Sequence, residues 1–118
     1  EKVIPRFVTS IIQNNKLTVH GNGKAKRDFI HVSDTCEAIY KVLLTKKKII
    51  GKTYNIGYGT AYSVNDIAKK LCNQNKYSKD KIKKIINRPG QVDQHWCNLS
   101  KFSNTSLSVV NPERVFCP

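Results

Sequence analysis

The sequence contains no methionine and a single tryptophan among its 118 residues. Because an initiator methionine is missing, we expect the chain to be a piece of a longer protein. Long apolar runs are missing as well: no stretch approaches the roughly 20 apolar residues that a membrane-spanning helix needs, and no secretory signal is visible. We therefore predict no membrane partner and one domain with a modest core.

Acidic residues are scarce: 8 aspartates and glutamates stand against 21 lysines and arginines, which leaves a formal net charge of +13. Most of this charge is lysine within residues 41–84, clustered at Lys46–Lys48 and again between Lys79 and Lys84. A nucleic-acid-binding module is one interpretation of such a balance. Neither arginines nor stacking aromatic residues accompany these two lysine clusters, apart from Tyr77. Solvated surface lysine is therefore the favoured interpretation, and a nucleic-acid partner is disfavoured.

Closely spaced cysteine pairs are also absent, since Cys36, Cys72, Cys97 and Cys117 are far apart and form no Cys-x-x-Cys motif. Structural zinc sites use such pairs, so we predict no metal site. Cys36 and Cys72 fall on the apolar faces of predicted helices, where a free cysteine behaves as a small hydrophobic residue. Free thiols fit a reducing cytoplasm better than secretion.

Three stretches have the apolar spacing of amphipathic helices. The first should begin near Pro5 and end at the polar run Gln13–Asn15. The second should be capped by Ser33 or Asp34. The third begins with a capping box at Ser63–Asp66, in which aspartate replaces the usual glutamate. Four apolar residues form the predicted inner face of the second helix: Cys36, Ile39, Tyr40 and Leu43.

The strands should be short. Apolar residues on both sides of the turn Gly21–Gly23 predict a hairpin. Thr53–Ile56 is nearly all apolar or β-branched, which predicts a strand covered on both faces. Ile82–Asn87 and Gln94–Asn98 predict two further strands, followed by a helical turn near Ser100. The expected class is α/β, with three main helices and short strands.

Three segments, taken together, carry a family resemblance. They read "LTVHGNGKAKRDFIHVSDTCEAI", "YNIGYGTAYSVNDIAKKL" and "RPGQVDQHWCNLSK", in this order. They resemble the NAD-dependent nucleotide-sugar epimerase/dehydratase family of extended short-chain dehydrogenases, and three segments in order are far more specific than one short motif. The resemblance implies that residues 1–101 form the C-terminal substrate-binding part of such an enzyme. It also implies that the Rossmann half is missing and that residues 102–118 are a divergent tail.

The resemblance further implies a reaction for the parent protein. Tightly bound NAD, held by the missing N-terminal half, would oxidise a nucleoside-diphosphate sugar that is then epimerised, dehydrated or decarboxylated. This chain would supply the diphosphate clamp, contain no catalytic residue and be inactive alone. The identity of the sugar and a homodimeric state of the parent stay open. The rival hypotheses are a non-catalytic truncated remnant and, less favoured, the nucleic-acid-binding module.

Two arginines are the main candidates for substrate binding. Arg27 and Arg88 each lie at a strand–turn boundary and match family arginines that hold the diphosphate of the sugar nucleotide. The planar guanidinium suits this role because it donates two parallel hydrogen bonds to a phosphate. The structural alternative is that the two arginines merely pair with Asp28 and Asp93.

Four further residues match substrate-contacting positions of the family. Gln91 stands where members often carry an acidic residue that hydrogen-bonds the ribose, and Asp93 is a second candidate for that role. Val19 and His20 match residues that line the base pocket, with His20 replacing a more common aromatic residue. The alternative for His20 is an ordinary surface histidine.

Two other patterns imitate functional motifs. Gly57–Gly59 follows a predicted strand and precedes a helix, as in a dinucleotide-binding fingerprint, but the third glycine position holds the bulky Tyr62. Tyr77 and Lys81 have the tyrosine-x-x-x-lysine spacing of the superfamily's catalytic pair. In a chain this rich in lysine one such match is uninformative. We predict that neither pattern is functional.

Overall fold

The structure is a computed structural model that describes residues 2–45 and 49–103, except for the side chains of residues 102 and 103. The Lys46–Lys48 cluster, Cys117 and nearly all of the predicted tail lie outside the described residues. The chain divides into two compact units. The first comprises Glu1–Arg27 and Tyr62–His95, and the second comprises Asp28–Ala61 and Trp96–Pro118.

The described residues form an α/β structure with three main helices and short strands. The helices are α1 (Val3–Ile12), α2 (Val32–Leu44), α3 (Val64–Gln74) and the short α4 (Ser100–Ser103). The strands are β1 (Leu17–His20), β2 (Lys26–Asp28), β3 (Ala61–Ser63), β4 (Ile82–Ile85) and β5 (Gln94–His95). Among the described helices, none is long and apolar enough to cross a membrane.

In the first unit, α1 and α3 pack against a parallel pair of strands. β1 pairs with β4 in the register that places Leu17 opposite Ile82 and His20 opposite Ile85. The core residues are fully buried or nearly so: Phe7 on α1, Leu17 and Val19 on β1, and Ile67, Ala68, Leu71 and Cys72 on α3. The predicted first and third helices are confirmed, because their apolar spacing matches the faces that they bury.

The predicted hairpin is wrong, since β1 and β2 belong to different sheets. β2 lies between β3 and β5 in a three-stranded sheet, in which Lys26 pairs with Gln94 and Arg27 with His95 in parallel. After β1 the Gly21 N–H still donates to the Ile85 carbonyl at 2.8 Å. Gly21 and Gly23 then adopt φ values of +61° and +70°, which lead the chain away from β1.

The capping box that begins α3 is confirmed. The Ser63 hydroxyl accepts the Asp66 N–H at 3.1 Å, and the Asp66 carboxylate accepts the Ser63 N–H at 3.2 Å. For α2 the predicted cap is wrong: the helix begins at Val32, with His31 as its cap and the His31 Nδ1 accepting the Ser33 N–H at 3.2 Å. An imidazole nitrogen supplies here the acceptor expected from a serine or aspartate.

The predicted inner face of α2 is also wrong. Asp34 and Ala38 are fully buried, and Ala38 packs with Val42, Tyr54 and Ile56. The four residues of the predicted face (Cys36, Ile39, Tyr40 and Leu43) are exposed instead. Spacing alone offers two adjacent stripes on this helix, and the more apolar one is not the stripe that the second unit buries.

Three of the predicted strands differ from the structure in existence or in length. Thr53–Ile56 forms no strand in the part of the chain that the structure describes, so this prediction is wrong. Its carbonyl groups are instead met by side chains: the Lys101 Nζ donates to the Thr53 carbonyl at 2.7 Å and the Cys97 thiol to that of Ile56 at 3.9 Å. The last two predicted strands exist but are shorter, and the helical turn at Ser100 is confirmed.

Candidate functional site

Parallel pairing brings the carboxyl ends of β1 and β4 to one edge of their sheet. His20 ends β1 opposite Ile85, and Arg88 follows β4. The Arg88 Nε lies 3.0 Å from the His20 Nε2, and the His20 Nδ1 lies 3.1 Å from the Ile86 carbonyl oxygen. Two of the residues predicted from sequence are therefore joined directly.

These contacts fix the tautomer of His20. Guanidinium nitrogens are donors only, so the His20 Nε2 must be the acceptor of the Arg88 Nε–H. The remaining ring proton then lies on Nδ1, where it is donated to the Ile86 carbonyl. The imidazole thus connects the β4 backbone to the arginine side chain through its two nitrogens.

Arg6, which the sequence reasoning missed, joins the same cluster from α1. Its Nη2 donates to the Thr18 carbonyl at 2.6 Å and to the Thr18 hydroxyl, while its Nη1 lies 3.3 Å from the His20 Nε2. Arg6 is the one charged residue of α1, and that isolation on an otherwise uncharged helix was the available signal. We call Arg6, His20 and Arg88 the carboxyl-edge cluster.

The loop between β1 and β2 is held against the start of α3. The Asn65 N–H donates to the Gly23 carbonyl at 3.0 Å, and the Asn65 side chain donates to the Asn22 carbonyl at 2.8 Å. A β-carbon on Gly23 would overlap the Asn65 Oδ1 and approach the Val19 Cγ1 to 2.7 Å. The close approach, together with the positive φ, explains why glycine occupies this position.

Arg27 lies on β2, in the other sheet. Its Nη1 donates to the Lys26 carbonyl at 2.7 Å, and Lys26 in turn donates its N–H to the Asp93 carbonyl at 2.8 Å. The strand register places Arg27 opposite His95 of β5. Among the described contacts, none joins the Arg27 guanidinium to that of Arg88.

The remaining predicted residues occupy different environments. Val19 is fully buried in the core. Gln91 is half-buried and donates its N–H to the Arg88 carbonyl at 3.4 Å, and Asp93 is exposed. Within the described residues, the Asp93 carboxylate forms no ion pair with Arg88. Contacts of these side chains with a ribose or base stay predictions.

The Asp28 carboxylate has its own partners. It accepts the Tyr58 N–H at 2.8 Å and the Gly59 N–H at 3.0 Å. These are the backbone donors that a dinucleotide-binding loop would direct at a pyrophosphate. A β-carbon on Gly57 would lie 2.7 Å from the Asp28 Oδ2. The Gly57–Gly59 loop is thus closed by a carboxylate, whose charge would repel a phosphate.

Tyr77 and Lys81 lie at the opposite, amino edge of the β1–β4 sheet. The Tyr77 hydroxyl donates to the Asn15 carbonyl at 2.7 Å. The Lys81 ammonium hydrogen-bonds the Asn14 side chain and lies 4.8 Å from the centre of the Tyr77 ring. The pair holds the turn between α1 and β1, which is a structural role.

Within residues 2–45 and 49–103, no group of three or more His, Cys, Asp or Glu side chains lies close enough together to bind a metal ion. The cysteines at 36, 72 and 97 are free thiols. The carboxyl-edge cluster presents guanidinium groups, which are hydrogen-bond donors that an anion can accept.

Comparison with known proteins gives consistent matches. Residues 1–57 match the NAD dependent epimerase/dehydratase family. The chain is 34% identical over 90 residues to a dTDP-glucose 4,6-dehydratase of Streptomyces niveus, which covers 76% of the chain and 26% of that protein.

Two solved structures are similar in fold and sequence. One is dTDP-glucose 4,6-dehydratase from Bacillus anthracis in complex with NAD (TM-score 0.77, 29% identity, 87% of this chain and 32% of that one). The other is UDP-glucuronic acid 4-epimerase from Bacillus cereus in complex with UDP-glucuronic acid and NAD (TM-score 0.79, 30% identity, 95% and 35%). The chain thus spans about a third or less of the length of these proteins.

Proposed function

Because this chain belongs to the NAD-dependent epimerase/dehydratase family, we propose that residues 1–101 form the substrate-binding part of an NAD-dependent sugar-nucleotide epimerase or dehydratase. Its task is to hold the diphosphate of a nucleoside-diphosphate sugar. The related Bacillus cereus enzyme binds UDP-glucuronic acid, which supports this class of ligand. The free thiols of Cys36, Cys72 and Cys97 support a reducing, cytoplasmic setting.

The observation that carries this proposal is the arrangement of Arg88. Its side chain lies at the carboxyl ends of two parallel strands, the edge at which α/β proteins bind ligands. Within the described residues its guanidinium has one hydrogen-bonding partner, the His20 Nε2. Both terminal NH₂ groups are therefore left to donate a bidentate pair of hydrogen bonds to a phosphate.

Arg27 is the second member of the proposed clamp. It lies on β2, and the short, tightly packed Gly21–Ala25 connection links it to the end of β1. One of its terminal nitrogens donates to the Lys26 carbonyl, which leaves further guanidinium donors for a ligand. Gln91 and Asp93 are proposed to contact the ribose, and His20 and the fully buried Val19 to lie near the base without contacting it.

The Gly57–Gly59 loop does not fit NAD. The backbone donors of Tyr58 and Gly59 already bind the Asp28 carboxylate, so the loop cannot offer these two N–H groups to a pyrophosphate. We assign NAD binding to a dinucleotide-binding half that these 118 residues do not include. This chain's contribution is to bind and orient the substrate.

Replacing each arginine by alanine tests the clamp. We expect Arg27→Ala and Arg88→Ala each to weaken binding of uridine or thymidine diphosphate by about 1.5–3 kcal/mol, the range for hydrogen bonds to charged groups. This corresponds to roughly ten- to hundredfold in the dissociation constant. Arg88→Lys should recover part of the loss, because a lysine keeps the positive charge but cannot donate two parallel hydrogen bonds from one planar group. Isothermal titration calorimetry measures these affinities.

The control is a variant in which Lys46, Lys47 and Lys48 are all replaced by alanine. It removes three positive charges and should change the affinity far less than either arginine variant. If it loses more affinity than the arginine variants, general basicity binds the ligand, and the proposed clamp is wrong.

A further inference from the structure

We propose that His20 is a positioning residue: it orients the guanidinium of Arg88 towards the diphosphate and does not act by contacting the base. This inference rests on the proposed function and changes the role expected for His20 from the family resemblance. It depends on the hydrogen-bonding partners of the two ring nitrogens of His20 and on the Arg88 donors that remain available to a ligand.

The imidazole ring is held by the backbone. His20 ends β1, where strand pairing with Ile85 fixes its backbone, and its Nδ1–H donates to the Ile86 carbonyl at 3.1 Å. The side chain is half-buried. A ring held by its strand and by a hydrogen bond presents its second nitrogen in one direction.

That nitrogen decides how Arg88 can bind a phosphate. A guanidinium offers two edges for bidentate contacts: Nε–H with one NH₂ group, or the two terminal NH₂ groups together. The His20 Nε2 takes the Nε–H at 3.0 Å. The two terminal NH₂ groups remain available, so His20 leaves this pair of donors for the ligand.

Among the described residues, His20 is the one hydrogen-bonding partner of the Arg88 guanidinium. Arg88 is exposed, and Pro89 and Gly90 follow it in a turn in which Gly90 has φ +73°. Apart from its two chain neighbours, no described residue comes within 4 Å of a β-carbon built on Gly90. An unrestrained arginine loses rotamer entropy when it binds. A side chain already held by His20 loses less of it on binding.

Arg6 adds a second positive charge at the same nitrogen. Its Nη1 lies 3.3 Å from the His20 Nε2, while Thr18 holds its Nη2 at 2.6 Å. Two guanidinium groups that meet at one uncharged ring create a positive potential at the sheet edge, which favours a doubly anionic group. The uncharged tautomer of His20 is what allows the two cations to approach each other.

The test uses inorganic pyrophosphate, which has no base, beside uridine diphosphate. His20→Phe keeps an aromatic ring for a base but removes the acceptor, whereas His20→Gln keeps an acceptor near the position of Nε2. We expect His20→Phe to weaken both ligands alike, by about two- to tenfold, the cost of ordering one long side chain. His20→Gln should recover most of this loss, and adding His20→Phe to Arg88→Ala should cost nothing further.

Nitrogen-15 NMR of the chain supplies a second readout that needs no ligand. We expect the Nδ1-protonated tautomer at His20 and a slowly exchanging Arg88 Nε–H that exchanges fast in His20→Phe, with the rest of the spectrum unchanged. Two results overturn the inference alone: a His20→Phe variant that loses affinity for uridine diphosphate but not for pyrophosphate, or a wild-type ring protonated on Nε2. If the wild-type chain binds neither ligand, the proposed function fails and the inference fails with it.

Discussion

Cys72 shows how burial sets the chemistry of a single residue. The thiol is fully buried on α3, and burial raises the pKa of Cys72 because the thiolate is poorly solvated there, while the nearby Lys79 charge opposes this in part. A thiol whose pKa rises on folding stabilises the folded state only while it is protonated. That contribution is complete below the ordinary thiol pKa and is lost as the pH rises through the raised one.

We therefore predict an alkaline loss of stability that depends on Cys72. The free energy of unfolding should fall more steeply above roughly pH 8.5 in the wild type than in Cys72→Ala, so the two curves should converge as the pH rises. Urea titrations across this range measure it. Cys36→Ala is the matched control, because it removes a thiol that is exposed in the folded chain. A Cys72→Ala curve that runs parallel to the wild-type curve would contradict the prediction.

Single residues of the candidate site were predictable only in part. Arg88 and His20 were each recognisable from their family match, but the hydrogen bond between them was not, because parallel pairing between segments far apart in sequence leaves no local pattern. Arg6 was missed for the same reason. Arg6 reaches His20 because α1 packs against β1. Apolar spacing predicts which face of α1 is buried, but not the strand against which that face packs.

At the scale of elements, the capping box of α3 gives a direct stability test. We expect Ser63→Ala and Asp66→Ala each to lower the free energy of unfolding by about 1 kcal/mol, as is typical for the loss of an N-terminal cap. The reason is that each change leaves a backbone N–H without its partner. Urea unfolding measures the effect, and Lys69→Ala, an exposed change on the same helix, is the control. Equal stability of all three variants would show that the box contributes nothing.

The elements differ in how far the sequence predicts them. Helices α1 and α3 follow from apolar spacing and capping residues, since both signals are local. The hairpin prediction failed because strands on both sides of a glycine turn need not pair with each other. Here the N–H of Asn65 and the carbonyl of Gly23 bind one another instead. The face of α2 was misjudged because the buried stripe, centred on Ala38, is the less hydrophobic of two adjacent ones.

At the scale of the whole molecule, net charge says little about function. The +13 charge made a nucleic-acid partner one interpretation, yet the anion-binding groups that we propose are two arginines, Arg27 and Arg88. The three ordered family segments carried the functional prediction, because together they contain both arginines of the proposed clamp. The predicted roles of Gln91, Asp93 and Val19 concern contacts with a bound nucleotide, which neither spacing nor packing can show.

The most direct test of the account is an NMR titration of the nitrogen-15-labelled chain with uridine diphosphate, which locates the binding surface. We predict the largest amide shifts at the carboxyl edge, in His20 and Gly21 and in residues 86–88, with smaller shifts near Arg27. NAD, added in parallel, should leave the amides of Tyr58 and Gly59 unchanged, because both already donate to Asp28. Shifts concentrated instead at the amino edge, around Asn15, Tyr77 and Lys81, would contradict the assignment of the clamp.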